Sequence, residues 1–582
     1  MPEHDPTYIG RVRQVLGSSV TIELDRSLAG VSPIYMGQLQ SVGQVGTLVR
    51  LPQGMVDLIA TVTLVGIAEG SGSGDYLSGD RWLEVQLLGE VSRGTGTFQR
   101  GVGNYPGLGD PVHFALPDEL SVLFPAEGKT HVAMGHLASS EQIAVSLDLN
   151  KLVVRHAAVV GSTGSGKTSA VATLLQKIAG GNWPSANVLV IDVHGEYASA
   201  LGESAAVRSV LGKGEGQLNV PYWALSAEAI LRAFTGSSGS PSTLREFTNL
   251  VAIERQKFAT DATWLDLDPS AVTGDTPVPF DLRKVWHQLD KDNRETRTNK
   301  SDPATTTISA DGSAEDLIPA SYLPHGNGGA APHQGPNFAV HGKVPELLRL
   351  GLLDPRLAFL RSPLGDVAGP DPLPSVVGSW IGHAKAVSVL DFNGVPGEAA
   401  ELAIGVVLSL LFEIATRTPP TGEGVGRPRP IMIVLEEAHR YLGDSAAPIA
   451  REAANRIARE GRKYGVGLTL VTQRPSELPD TALAQCGTLI SLRLSNSSDQ
   501  AKIRSALPDS VSGLAEALPS LRTGEAIISG EALSLPARVL LDMPNPRPLA
   551  DDPSIESWTL DATDPNVAPA IASWRGIYKE QS

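Results

Sequence analysis

Gly161-Ser162-Thr163-Gly164-Ser165-Gly166-Lys167-Thr168 fits G-x-x-x-x-G-K-[ST] at every fixed position. The chemistry it offers is phosphate binding. Glycines let backbone N–H groups close around phosphate oxygens. At this spacing Lys167 reaches the β- and γ-phosphates, and the Thr168 hydroxyl ligates Mg²⁺. Further polar clusters stand at the ends of apolar runs. Ile431 to Leu435 ends in Glu436 and Glu437. Glu436 suits the Mg²⁺ water shell, and Glu437 suits orienting or polarising the attacking water. A second run ends in Asp192, His194 and Glu196. Asp192 and Glu196 fit either orientation of water or metal, or closure of a subunit interface. A third ends in Gln473 before Pro475. Gln473 reads as a γ-phosphate sensor or as part of an ordinary strand-end turn.

One stretch is basic. Residues 448–463 carry Arg451, Arg456, Arg459, Arg462 and Lys463. At helical spacing Arg451, Asn455, Arg459 and Arg462 share a face. That face is either solvated, with Glu452 and Glu460 as local partners, or a source of an arginine finger for a neighbouring subunit's nucleotide and of a contact to the DNA backbone. Arg155, in the run leading to the phosphate loop, is a second candidate of this kind.

These groups need elements to hold them. Val188 to Ile191 and Ile431 to Leu435 are continuous apolar runs, as expected of strands buried on both faces; Val153 to Val160 is mostly apolar, and Leu468 to Thr472 and Leu489 to Leu494, less pure, read as strands too. Helical stretches alternate with them, which predicts a parallel α/β sheet. Ligands then sit beyond the carboxyl ends of the strands, where the acids lie. Residues 1–125 differ. Segments such as Ser19 to Leu24, Thr61 to Val65 and Trp82 to Leu87 alternate with period 2 between Gly-rich turns, which predicts a small barrel or sandwich. Residues 225–300 read as mixed helix. Residues 301–345 hold six Pro and six Gly, and are expected to be a flexible loop.

Composition sets outer limits. The 582 residues suggest three or four domains. Lys and Arg number 47 against 63 Asp and Glu, a net charge of −16. A chain this acidic is no basic coat for nucleic acid, so any DNA contact needs a local patch or a pore. A single cysteine, Cys486, excludes an intramolecular disulfide framework and a Cys-based zinc site. The opening residues lack a basic flank and an apolar segment, so no secretory leader is expected. The longest apolar stretch, 402–412, is short of the roughly 20 residues that span a bilayer. A cytoplasmic protein without a membrane segment is expected.

With these motifs assembled, the chain resembles the HerA family of hexameric DNA translocases, relatives of the FtsK motors. The likeness rests on Arg155-His156 before Gly161 to Thr168, on Ile191 to Tyr197, on Val434 to Tyr441, on Arg459 to Gly465, and on Thr472 to Pro475. It implies an α/β fold: a RecA-like P-loop ATPase core with an N-terminal β-barrel and a helical insertion. The expected boundaries are a barrel over 1–125, core over 126–224 and 385–545, an insertion over 225–384, and a C-terminal arm over 546–582 that braces the adjacent subunit. The resemblance also implies ATP and Mg²⁺, a homo-hexamer, and double-stranded DNA in its channel. It makes Glu437 the catalytic acid, Gln473 the sensor and Arg462 the trans-acting finger. Arg155 and Asp192 would lie near the nucleotide, and Thr168 and Glu436 near the metal. HerA proteins work with a partner, either a NurA-type nuclease or a defence effector such as a sirtuin-like NAD hydrolase or another nuclease. The barrel is its expected docking surface. A ring that only scaffolds an effector, switched by ATP, is the alternative to a motor. A monomeric metabolic ATPase would leave Arg462 and the barrel without a role.

Overall fold

The computed structural model describes residues 5–549, apart from 27, 29–33, 36–37, 40–42, 68–80, 211, 362–363, 382–383, 396, 444–447 and 509–510, together with 555–559 and 566–574. The chain forms two compact units. One takes residues 1–209, 380–393 and 411–549; the other takes 210–379, 394–410 and 550–582. Much of the expected C-terminal arm (550–554, 560–565 and 575–582) lies outside the described residues.

The first unit opens with a seven-stranded sheet: β1 Tyr8–Leu16, β2 Ser19–Leu24, β3 Leu48–Gln53, β4 Val56–Ile67, β5 Arg81–Ser92, β6 Phe98–Arg100 and β7 Pro111–Phe114. Their order is β2-β1-β7-β3-β4-β5-β6, and β2 also pairs with β5. That pairing closes six strands into a barrel and leaves β6 at its rim. The alternation in the sequence is the cause. Val20, Ile22 and Leu24 of β2 point inward with Val49, Leu51, Leu58, Val62, Leu83 and Val85. Gly10 is required where β1 crosses β2 closely, since a Cβ there would lie 2.2 Å from the Glu23 carbonyl oxygen.

The same unit contains an eleven-stranded sheet. Its strands are β8 His131–Leu137, β9 Ser140–Asp148, β10 Ala157–Val160, β11 Asn187–Asp192, β12 Ala205–Ser209, β13 Val387–Asp391, β14 Ile431–Leu435, β15 Val466–Thr472, β16 Thr488–Leu492, β17 Glu525–Gly530 and β18 Ala537–Leu541. The order is β9-β8-β18-β17-β16-β10-β15-β14-β11-β13-β12. From β16 to β12 every pairing is parallel; β17, β18, β8 and β9 extend the sheet antiparallel. Strands β10, β11, β14, β15 and β16 are buried along their whole length, as continuous apolar runs require.

One expected strand is divided. Leu149–Val154 forms a helix, α1, because the Asp148 side chain caps it by accepting from the Asn150 amide. The backbone then turns through His156, at φ 52°, and only Ala157–Val160 is extended. Arg155 therefore sits at the C-terminal cap of α1, not inside the strand.

The second unit is mainly helical. Helices span Ala227–Thr235, Pro241–Asp261, Leu282–Arg294 and Val344–Leu353, and the first three start at side-chain caps from Ser226, Ser240 and Asp281. Trp223, Phe247, Trp286 and Leu348 are buried among them. The guanidinium of Arg255 is buried too, donating to the carbonyls of Gly274, Trp223 and Leu225 at 2.7 Å each. The Pro/Gly-rich stretch 301–345 is folded rather than loose. Ile308–Ala310 pairs with Ser321–Tyr322, and His333–Gln334 pairs with Thr296–Arg297. Thr296 Oγ1 meets Thr307 Oγ1 at 2.5 Å and donates to the Leu323 carbonyl at 2.7 Å. Its Gly residues serve the turns between ribbons, with Gly312, Gly328 and Gly329 at positive φ.

The helix Gly397–Arg417 contains the only stretch among the described residues long and apolar enough to cross a membrane. Of that window 72% is buried inside the protein, as in a core helix.

Candidate active site

The phosphate loop joins β10 to helix α2, Lys167–Gly180. Gly164 and Gly166 have φ of +72° and +100°, a region that side chains avoid. No side chain caps the first turn of α2, so its amides face the loop, as anion binding requires. Ser165 Oγ is fully buried and has no hydrogen-bond partner. Lys167 Nζ donates to the Ser162 carbonyl at 3.2 Å. Burial holds the Lys167 pKa below the usual lysine value, against the pull of Glu436, Glu437 and Glu196. A half-buried cation, an orphan hydroxyl and uncapped amides together fit a bound phosphate chain.

The turn after β11 is built by Asp192. Its Oδ1 accepts from the amides of His194 (3.2 Å) and Gly195 (2.8 Å), and its Oδ2 from that of Tyr197 (3.0 Å). Asp192 is wholly buried, and burial raises its pKa against these hydrogen bonds. The expectation that it touches nucleotide is therefore corrected: its oxygens are spent on the backbone. What the turn presents is Glu196, whose Oε2 accepts from Thr168 Oγ1 at 2.9 Å.

Glu436 and Glu437 follow β14 but differ in setting. Glu436 is buried against the Tyr197 hydroxyl, which donates to Oε1. Burial, with Asp192, Glu196 and Glu437 adding to it, pushes its pKa up to about 7. Glu437 has φ 49°, a left-handed conformation uncommon outside glycine and held here at the end of a buried strand. Burial would raise its pKa too, but His194, His439 and Lys167 outweigh it and hold the carboxylate below its ordinary value. Its Oε1 accepts from Gln473 Nε2 at 3.2 Å, while its buried Oε2 accepts no hydrogen bond. Oε2 lies 3.2 Å from His439 Nδ1 and Oε1 lies 3.8 Å from His194 Nε2, so an ionised carboxylate, the form that accepts protons, is held between two imidazoles. Gln473 in turn accepts from Thr163 Oγ1 at 2.7 Å, linking the loop to this acid. Thr168 Oγ1 and the Glu196 carboxylate form one hydroxyl–carboxylate oxygen pair beside the loop, of the kind Mg²⁺ takes while keeping most of its waters.

The arginines lie elsewhere. Arg155, Arg459, Arg462 and Lys463 line a cavity of about 590 Å³ at the edge where β10 and β16 begin. The phosphate loop leaves the other end of β10. Four strand residues separate the two edges by about 13 Å. Within one chain, then, Arg155 is at the far edge of the sheet from the loop. Arg451, Asn455 and Arg459 share a second cavity, as helical spacing predicts. Arg456 is drawn off to Glu413, its planar group 4.8 Å from the Phe412 ring.

Three participants carried no distinct role in the sequence. Glu196 was one of two candidates on its turn. Tyr197 gave no chemical signal, and its contact with Glu436 spans 239 residues. Glu531, which ion-pairs with Arg155, stands in no motif.

Two family models match the chain: the central domain of helicase HerA over residues 132–321 and the HerA-like helicase C-terminal domain over 384–541. Together they take up more than half of it. A DNA double-strand break repair helicase HerA of Saccharolobus solfataricus is 26% identical over 479 residues, 81% of this chain and 80% of its own. A probable helicase of Methanocaldococcus jannaschii is 26% identical over 458 residues, 78% of this chain and 75% of its own. Among solved structures, VirB4 of Thermoanaerobacter pseudethanolicus covers 72% of this chain and 97% of its own at 15% identity, with a TM-score of 0.44. The phosphate loop, the acids beyond β14 and the two matched domains run in one order along the sequence, and the chain belongs to the HerA helicase family.

Proposed function

We propose that the chain is the subunit of an ATP-hydrolysing ring, six copies around double-stranded DNA, whose nucleotide sites are each completed by the next copy. The observation that carries this reading is the separation of the phosphate loop from the arginine cavity on opposite edges of one sheet. A subunit cannot turn its own arginines onto its own nucleotide across that distance. A neighbour can supply them.

The loop amides and Lys167 hold the β- and γ-phosphates of ATP. Thr168, Glu436 and Glu196 hold Mg²⁺ and its water shell. The ion supplies charge neutralisation at the phosphate oxygens. Glu437 accepts the proton of the attacking water, and Gln473 registers the γ-phosphate between Thr163 and Glu437. Arg462, with Arg155, reaches the neighbour's phosphates and stabilises the charge of the transition state. His194, with Nε2 3.8 Å from Glu437 Oε1, favours the ionised carboxylate by its charge.

The relatives' names speak of DNA double-strand break repair, which supports DNA as the substrate acted upon. The barrel is the docking surface for a partner nuclease or a defence effector such as a sirtuin-like NAD hydrolase, and the setting is cytoplasmic. The 546–582 arm braces the adjacent subunit.

The test is the steady-state ATPase rate of the purified chain with and without double-stranded DNA, beside Lys167→Ala. Stimulation by DNA that Lys167→Ala abolishes is the expected result. A rate indifferent to DNA, alone and with a partner added, would replace the motor by an ATP-switched scaffold.

A further inference from the structure

The arginine cavity contains one acid. Its cations are Arg100, Arg155, Arg459, Arg462 and Lys463, and among its described lining residues Glu531 is the single carboxylate. Glu531 ion-pairs with Arg155, and both side chains remain partly exposed, at 43% and 32%. The pair is anchored through the backbone. The Gly487 amide donates to the Arg155 carbonyl at 2.7 Å, and the Glu531 amide donates to the Gly487 carbonyl at 2.7 Å. Gly530, at φ +121°, makes this approach possible, since a Cβ there would lie 2.1 Å from the Gly487 oxygen.

The turn that carries Glu531 joins β17 to β18, and the barrel grips it. Arg100, the last residue of β6, donates to the carbonyls of Gly530 (2.6 Å), Ser534 (2.7 Å) and Leu533. A guanidinium with three carbonyl acceptors on one turn fixes that turn to the barrel rim. Beyond Arg100's own place in the cavity lining, these contacts draw a path from the barrel rim to Arg155 through turn 530–534 and Glu531.

We propose that Glu531 is a positioning residue that holds Arg155 in reserve, occupying it as an internal anion until a neighbour's phosphate displaces it, and that Arg100 ties this hold to the barrel. The proposal rests on the trans reading of Arg155 given above. It makes the barrel, the surface a partner would load, a setting on how readily each site accepts ATP.

The carboxylate and the incoming phosphate compete for one guanidinium. Removing the carboxylate's charge therefore strengthens nucleotide binding without touching the chemical step. For an ion pair this exposed, Glu531→Gln should lower KM for MgATP about two- to fivefold with kcat held. Arg100→Gln should shift KM in the same direction, and the double variant should add little to either. In an Arg155→Ala background, Glu531→Gln should leave KM where Arg155→Ala alone puts it.

The experiment is this cycle on the full chain, with KM and kcat read separately and ring size and Tm recorded for each variant. Glu531→Asp, which keeps the charge, serves as the second variant and should stay near the parent KM. An unchanged or raised KM in Glu531→Gln, with Arg155→Ala strongly impaired, overturns the hold and leaves the trans reading standing. An Arg155→Ala enzyme with normal kcat and KM overturns both. A lowered Tm with a fallen kcat in Glu531→Gln, and the same in Glu531→Asp, would mean that Glu531 only braces the turn.

Discussion

Gln473 and Glu437 share one hydrogen bond, 3.2 Å from Nε2 to Oε1, while the other end of the same amide accepts from Thr163 in the phosphate loop. One side chain thus touches both the phosphate loop and the acid proposed to act on water. A phosphate that engages Thr163 takes away a bond that Gln473 holds. Gln473→Ala should bind ATP near normally yet lose about 10- to 100-fold in turnover, because Glu437 loses the donor that aims it. Nucleotide titration beside a steady-state assay separates the two effects.

Glu437→Gln keeps the shape of the side chain and removes its capacity to accept a proton. Turnover should fall about 10²- to 10⁴-fold with ATP binding retained. Ordinary turnover in this variant would strip Glu437 of its role and move attention to Glu196.

Glu436 makes a prediction in pH. Its pKa is pushed up to about 7 from 4.5, chiefly by burial. The folded, nucleotide-free protein therefore holds this proton more tightly than the unfolded chain. Ionisation costs nothing below about pH 4.5, costs progressively more between 4.5 and 7, and costs in full above 7, by up to about 3 kcal/mol. Glu436→Gln should accordingly stabilise the nucleotide-free chain at pH 8 and change it little at pH 5. Tm values at the two pH settings decide, and an equal gap at both would place the cost elsewhere.

The trans reading makes a prediction about mixtures. Lys167→Ala and Arg462→Ala are each expected to be nearly inactive alone. In a ring assembled from equal parts of both, about one interface in four pairs an intact loop with an intact arginine. Activity should return on mixing after reassembly. No recovery at any ratio would put Arg462 outside the neighbour's site.

Asp192→Asn tests the correction at the first turn. The side chain keeps one acceptor and gains donors where three amides point. The loss should show as lowered Tm, by about 1–3 kcal/mol of stability, together with lower activity. A variant of unchanged Tm with weakened nucleotide binding would return Asp192 to the nucleotide.

The sequence was most legible where chemistry and structure are local. The phosphate loop lies within eight residues, and the two acids directly follow a strand whose apolar character is plain. The barrel showed itself through alternation in β2, β4 and β5. The rest depended on contacts between distant residues. Nothing near Arg155 announces Glu531, and nothing near Tyr197 announces Glu436. The strand expected from Val153 was shortened by one capping carboxylate, Asp148, which made a helix of residues with strand-like composition. The stretch 301–345 was misread because Pro and Gly counts look alike in linkers and in tightly turned ribbons. The threonine pair Thr296–Thr307 that distinguishes them closes only in three dimensions.

Strand β10 is four residues long, with a phosphate loop at one end and Arg155 joined to the other through His156. So short and fully buried a strand has little room to bend. Paired along its length with β15 on one side and β16 on the other, it keeps the loop and the cation edge at a fixed spacing. If that edge serves the next copy, the length of this one strand sets how far apart a subunit's own nucleotide and the one it completes can lie.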